Sequence, residues 1–178
     1  DDLTSGFNIT SNITLEPNFN AMMGFTQQEL DGILDKFDLS KDKQLKKLLK
    51  EYYNGYLFDE DSNQRVYNPD MIFYYLKYFH SYQKPPRQII SDNIKIDYGR
   101  LNRLAMNEHN QLVLNKIIKE ESITSNIVSR FSFDRMYDQD YFISLLFYMG
   151  FLTINKRNRT RLQLAIPNLA VKTVFWEY

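Results

Sequence analysis

Two helix boundaries near the middle of the chain constrain its fold more than any other feature of the sequence. Gly55 follows an amphipathic stretch and predicts a helix end, because glycine adopts positive φ angles without a Cβ penalty. Asn68-Pro69 predicts the next helix start, with Asn as the N-cap and Pro at the first position, where no N–H is needed. Between these signals, a polar tip separates two short β-prone runs within residues 56–67 and favours a hairpin. We therefore predict that residues 53–69 form a structural clasp between two helices.

Apolar residues at helical spacing predict that most of the chain is α-helical. Thr26 and Glu29 have the spacing of a capping box, in which the side chain of each residue binds the backbone N–H of the other. The helix that begins at Pro69 is rich in Phe and Tyr, so we expect it to be central and buried on most sides. Residues 122–133 fit neither the helical nor the strand period. The helices are predicted at 26–37, 42–53, 69–79, 110–120 and 139–150, and two more begin near Asp97 and Asn168.

A second hairpin is predicted where the runs 151–155 and 161–166 flank a basic turn at 156–160. No acidic residue lies between Tyr141 and Trp176, so the cations of this hairpin are expected to form an electropositive surface. If the hairpin contacts nucleic acid, the contacting residues are Lys156, Arg157, Arg159 and Arg161.

The Lys84-Pro-Pro-Arg87 break divides the chain into two predicted regions. Residues 1–83 form a helical lid-like region with a short hairpin. Residues 84–178 have the order helix, helix, basic hairpin, which is typical of a winged-helix module. Because residues 1–80 hold 13 acids and 8 bases, and residues 81–178 hold 9 acids and 14 bases, the halves should attract each other. The predicted fold class is mainly α with two small β-hairpins, a helical lid followed by a winged-helix-like module.

The sequence lacks the residue patterns that several kinds of catalytic site require. It has no cysteine, and its two histidines, His80 and His109, are too few for a zinc site at any usual spacing. No Gly-x-x-x-x-Gly-Lys-Ser/Thr run is present to cradle phosphates. No apolar run reaches the roughly 18 residues that cross a bilayer. We therefore expect no catalytic, cofactor-binding or metal-binding residue in this chain, no membrane contact, and a cytoplasmic location.

Several groups of residues resemble the region that follows the P-loop core in the AAA-ATPase-like family common in Bacteroidetes. They are Gly-Phe-Thr-x-x-Glu at 24–29, Tyr-x-Gly-Tyr-x-Phe at 53–58 and Tyr-Asn-Pro at 67–69. Tyr-x-Gly-Phe-Leu-Thr at 148–153 and Ile-Pro-Asn at 166–168 resemble the end of the same region, so the resemblance covers nearly the whole chain. The most specific family-motif residues are Gly24, Phe25, Thr26, Glu29, Tyr53, Gly55, Tyr56, Phe58, Tyr67, Asn68 and Pro69.

The resemblance implies that this chain is one part of a longer parent protein. In that parent a P-loop ATPase core lies upstream, and in many members a restriction-endonuclease-like domain lies downstream. ATP and Mg²⁺ are implied for the parent only, because no position here matches the ATPase motifs. The implied role is a non-catalytic one, in which the lid and winged-helix-like region couples the nucleotide state of the core to the downstream domain.

Two other functions remain open. The basic hairpin suits a DNA-binding winged-helix module, but the helix that would enter the major groove reads Tyr-Phe-Ile-Ser-Leu-Leu-Phe-Tyr-Met at 141–149. Those side chains do not bind base edges and look buried, so we expect little nucleic-acid contact from this chain. The aromatic helix 69–79 suits a protein-interaction adaptor that docks a partner on its ring-rich face.

Overall fold

Helices dominate the structure, which is a computed structural model. It describes residues 13–91, 99, 103, 105, 107–128, 135, 138–158 and 160–176, without the side chains of 157 and 158. Within these residues the chain forms six α-helices and a three-stranded antiparallel sheet, so the mainly α fold class with a small β part is confirmed. The helices are α1 (Gln27–Lys36), α2 (Lys43–Tyr53), α3 (Pro69–Tyr82), α4 (Glu108–Glu120), α5 (Gln139–Tyr148) and α6 (Leu169–Trp176). The strands are β1 (Ser122–Ser125), β2 (Thr153–Asn158) and β3 (Arg161–Ala165).

The first three helices begin where the sequence predicted. The capping box of α1 is complete, because Glu29 N donates to Thr26 Oγ1 at 3.2 Å and Thr26 N donates to Glu29 Oε2 at 2.8 Å. The backbone bond from Thr26 also holds the pKa of the Glu29 carboxyl below its usual value. Asp42 caps α2 and Asn68 caps α3, each through its side-chain oxygen. Such caps stabilise a helix by about 1 kcal/mol each. The helix predicted from Asp97 is described at Gly99 and Arg103, and both residues are helical.

The hairpin of β2 and β3 is confirmed, but its turn is shorter than predicted. Asn158 pairs with Arg161, so most of the predicted turn 156–160 is strand. The register shifts between Ile154 and Lys156, and this bulge lets the two strands stay paired as far as the turn. β3 is the central strand, and its other edge pairs with β1 in the order β1-β3-β2.

The hairpin predicted within residues 56–67 forms a single antiparallel bridge, between Tyr56 and Val66. The Asn20 side chain takes up the backbone groups that would have extended the ladder. Its Oδ1 accepts Phe58 N at 2.8 Å, and its Nδ2 donates to Gln64 O at 2.8 Å. The predicted short hairpin is therefore limited to one bridge, because a distant amide competes for the same donors and acceptors.

Two clusters of buried side chains form the core of the protein. One lies among α1, α2 and α3, and the other lies among α4, α5, α6 and the sheet. Each cluster contains one buried residue from the other side of the predicted 84–87 boundary. Leu57 packs in the second cluster, and Ala170 packs in the first. The two cores therefore interlock, and the division of the chain at residue 84 stays a prediction.

Helix α3 is less enclosed than its composition predicted. Its buried face consists of Met71, Ile72, Tyr75 and Leu76. Phe73 is 56 % exposed on the opposite side, so the expectation of burial on most sides was wrong. Among the described residues, none of the helices has both the length and the apolar character to span a bilayer.

Candidate functional site

The contact between the two cores, which we call the joint, consists of residues 54–57 and 65 against residues 153–154 and 167–168. The family-motif residues around it begin with Phe25, which exchanges backbone bonds with Tyr67 at 3.0 and 2.8 Å. The Tyr67 hydroxyl then donates to Gln27 Oε1 at 2.6 Å. Gly24 lies so close to Val66 that a Cβ at position 24 would fall 2.4 Å from Val66 Cγ2. These contacts fix the start of α1 against the clasp.

Gly55 follows α2 with a positive φ, as predicted, and the joint adds a second requirement for glycine. Helix α2 ends at the extended residue Asn54, so Gly55 is not a left-handed cap, although its φ of 115° is positive. The decisive contact is with Pro167, because a Cβ on Gly55 would lie 1.9 Å from the Pro167 carbonyl oxygen. Asn168 Nδ2 donates to Asn54 O at 3.0 Å beside this contact. Only glycine lets the chain entering α6 approach the end of α2 so closely.

Leu57 and Thr153 form the buried centre of the joint. Thr153 Oγ1 accepts Leu57 N at 2.7 Å and lies 3.2 Å from Leu57 O, to which its hydroxyl donates. Ile154 N also donates to Leu57 O, at 3.3 Å. Arg65 adds a half-buried cation, whose Nη1 donates to Gly55 O at 2.6 Å and to Ile154 O at 3.5 Å. Backbone groups of Leu57 are therefore hydrogen-bonded by strand β2, and a backbone carbonyl of strand β2 is hydrogen-bonded by Arg65.

Tyr56 connects the joint to both adjacent helices. Its side chain is buried, and burial raises the pKa of its hydroxyl, although the side chains of Asn68 and Asn168 act in the opposite direction. Asn68 caps α3, and Asn168 accepts Val171 N at the start of α6. A Cβ at Gly150 would lie 3.6 Å from the Tyr56 ring, so the end of α5 also packs against it. One tyrosine thus contacts the termini of three helices.

A mostly apolar groove of about 580 Å³, which we call the joint groove, lies beside the joint and shares Tyr56 with it. Its walls come from three parts of the chain, and Asp70 is the single charged residue among its described lining residues. Met22 and Met23 are 64 % and 69 % exposed there. The lining residues are Ile13, Thr14, Phe19, Met22, Met23, Tyr56, Phe58, Val66, Tyr67, Asn68, Pro69, Asp70, Phe147, Tyr148, Met149 and Gly150.

The basic hairpin lies apart from the joint groove. Lys156 and Arg161 are exposed, whereas Arg159 and the side chain of Arg157 lie outside the described residues. Helix α5, which precedes the hairpin, buries Phe142, Ile143, Leu146 and Phe147 in the second core, as its sequence predicted. Burial raises the pKa of Asp140 in that helix, but bonds from neighbouring side chains and the charge of Arg161 outweigh it, so the net pKa is lowered. Residues 141–149 of the sequence include no Arg, Asn or Gln.

The histidines stand apart from one another. His80 is exposed on α3, with its ring edge-on to Phe37 at 6.1 Å, and His109 is exposed in the first turn of α4. Within the described parts of the chain, no three potential metal ligands converge.

The sequence did not predict the polar contacts that four residues make in the joint and the clasp. Asn20, Arg65 and Thr153 all bind backbone groups, and Thr153 bonds to a partner 96 positions away. Asn168 was predicted only as a helix start. A hydroxyl or amide that serves a distant backbone leaves no local pattern, so these roles are visible only once the chain is folded.

Comparison of the chain with protein-family models, curated proteins and solved structures gives no match. The resemblance to the AAA-ATPase-like family therefore rests on the motif residues themselves and stays a prediction.

Proposed function

We propose that this chain is a non-catalytic coupling region of an AAA-ATPase-like protein. The observation that carries the proposal is the joint, in which the family-motif block supplies buried backbone bonds to a strand of the second core. The Thr153 hydroxyl accepts a hydrogen bond from Leu57 N and donates one to Leu57 O, and both residues are buried. A displacement of either core therefore has to break buried polar bonds or move the other core with it.

The order of elements supports the second part of the proposal. Helix α4 is followed by β1, then by α5 and then by the hairpin of β2 and β3, with β3 at the centre of the sheet. This order fits a winged-helix-like module that receives motion from the lid-like helices. In the proposed parent, ATP and Mg²⁺ are bound by the upstream P-loop core, and a nuclease-like domain lies downstream.

The chain itself is proposed to have no enzymatic activity. Its family-motif residues cap helices, pack rings or accept backbone bonds, and these are structural roles. We expect no heat of binding when Mg-ATP is titrated into the isolated chain at sub-millimolar concentration. A saturable calorimetric signal would contradict the non-catalytic assignment.

The coupling role is tested in the protein that contains this chain. The proposal requires a P-loop motif upstream in the same reading frame. A non-hydrolysable ATP analogue should then change amide hydrogen exchange both in residues 53–69 and in residues 153–168. Thr153→Val should confine the change to residues 53–69. A reading frame without a P-loop, or exchange at 153–168 that never responds to nucleotide, would refute the proposal.

A protein-interaction adaptor is a second candidate, favoured by the exposed rings of α3. Phe73 is 56 % exposed and Tyr82 is 60 % exposed on this helix. Sedimentation velocity over a range of concentrations tests self-association through either ring. Replacing both rings with serine should abolish any dimer that depends on them.

A further inference from the structure

We propose that the outer face of α3 is an interface between two copies of this chain, which pack their α3 helices antiparallel across a two-fold axis. The proposal does not depend on the coupling function. It rests on the adaptor candidate, for which it names a second copy as the partner and fixes the geometry of the contact. The face, which we call the α3 stripe, consists of Asp70, Phe73, Tyr74, Lys77 and His80.

The α3 stripe lies on the side of the helix that faces away from the first core. Its five residues follow the spacing i, i+3, i+4, i+7 and i+10, which places them on one helical face. Asp70, Lys77 and His80 are exposed, and Phe73 is 56 % exposed. A large exposed ring among polar side chains is typical of an interface between proteins.

A cleft of about 560 Å³ runs along the α3 stripe and can receive a ring from a second copy. All five stripe residues line it, and Phe37 lies at its edge with its ring 6.1 Å from that of His80. In a symmetric pair, each copy supplies both the exposed Phe73 ring and a cleft for the partner's Phe73. Aromatic side chains that enter such a pocket contribute most strongly to the affinity of an interface.

The Phe73 ring is already held in place before a partner binds. Phe25 packs against it edge-on, with the two ring centroids 5.4 Å apart. A side chain that is ordered in the free protein loses less conformational entropy on association. The ring is therefore suited to act as an anchor at the centre of the contact.

The charges of the α3 stripe favour an antiparallel pair. Asp70 and Lys77 lie seven residues apart, or about 10.5 Å along the helix axis. In an antiparallel pair centred between them, Asp70 faces the partner's Lys77, and this contact occurs once on each side of the axis. The centre falls between Phe73 and Tyr74, so the rings of the two copies meet at the axis. A parallel pair would instead place Asp70 against the partner's Asp70.

Sedimentation velocity of the full chain over about 1–300 µM measures the pairing. We expect a dimer with a dissociation constant on the order of 10–100 µM, as is usual for a small transient interface. Phe73→Ser should weaken it about a hundredfold. Lys43→Glu is the control, because this lysine is exposed on α2, and it should change the constant by about twofold or less.

A charge exchange tests the antiparallel geometry. Asp70→Lys and Lys77→Glu should each weaken self-association about tenfold, because like charges then face each other at both contacts. An equal mixture of the two variants should regain the wild-type constant, since one copy then presents two cations and the other presents two acids. The mixture also shows that both variants are folded.

Three results would overturn the proposal. One is a wild-type chain that stays monomeric up to about 300 µM, which would leave the cleft to a different partner. Another is a mixture that associates no more tightly than the single variants. The third is a dimer that Phe73→Ser keeps and Tyr82→Ser loses. Because Tyr82 lies outside the α3 stripe, that last result would leave the adaptor candidate standing.

Discussion

The joint and the basic hairpin are both built around strand β2, yet they use their polar groups in opposite ways. At the joint, Thr153 and Ile154 turn their polar groups to Leu57 and Arg65, and the bonds are buried or half-buried. A few residues further on, Lys156 carries its charge into solvent. The difference shows that polar groups of the family-motif block form a contact between the two cores, whereas the charge of the hairpin is exposed to solvent.

Gly55→Val should break the joint most severely. The added Cβ would overlap the Pro167 carbonyl oxygen, and the φ of 115° is unfavourable for a β-branched residue. We expect a loss of about 4 kcal/mol in the free energy of unfolding, measured by urea denaturation. Gly32→Ala is the matched control, since no atom lies within 4 Å of its added Cβ, and it should stabilise α1 by about 0.5–1 kcal/mol. Equal midpoints for the two variants would show that the joint does not need glycine.

Thr153→Val tests the polar centre of the joint without changing its shape. The variant removes the acceptor of Leu57 N, which is left buried and unsatisfied. We expect a loss of about 1–3 kcal/mol. Thr124→Val in β1 is the control, because Thr124 is half-buried and should change stability by about 0.5 kcal/mol or less. A loss of stability no larger than that of the control would show that the Thr153 hydroxyl does not stabilise the joint.

Alkaline pH should weaken the first core and the joint more than the hairpin. Burial raises the pKa of the hydroxyls of Tyr53, Tyr56, Tyr67 and Tyr75 above the unfolded value of about 10. The folded state therefore keeps protons that the unfolded state loses, so this stability is complete below about pH 10 and falls as the pH rises further. Urea midpoints at about pH 8 and pH 11 measure the loss. The loss should be smaller in Tyr53→Phe, and an identical loss in that variant would contradict the assignment.

Charge reversal at the hairpin should have the smallest effect. Replacing Arg157, Arg159 and Arg161 with Glu should change stability by about 0.5 kcal/mol or less, because Arg161 is exposed, the sequence predicts the same of the other two, and exposed charges contribute little. Neither the wild-type chain nor the variant should shift duplex DNA at low salt. Lys43→Glu with Lys47→Glu and Lys50→Glu, all exposed on α2, changes the net charge by the same amount and is the control. A wild-type shift that the hairpin variant loses and the α2 variant keeps would instead make the hairpin a nucleic-acid contact.

Local signals predicted the helices and the second hairpin. The capping box at Thr26, the N-caps at Asp42 and Asn68, and the helix end at Gly150 all act over a few residues, so they can be read from sequence. Strand β1 could not be predicted, because four residues that pair with a distant edge show no period of their own.

The joint was predicted only in part, for the same physical reason. The clasp could be located from Gly55 and Asn68, but the contact that requires Gly55 is with Pro167, far along the chain. The first hairpin was over-predicted because Asn20 takes up its backbone groups. Long-range polar bonds of this kind decide which local preference is realised, and sequence patterns do not contain them.

Native-state hydrogen exchange of the chain, with and without Thr153→Val, tests the central claim most directly. If the joint couples the two cores, the slowest amides of α2 and α5 should share one opening free energy in the wild type. The variant should lower both by the same amount. Different opening free energies in the wild type, or a variant that lowers only one of the two helices, would show that the cores move independently and would contradict coupling through the joint.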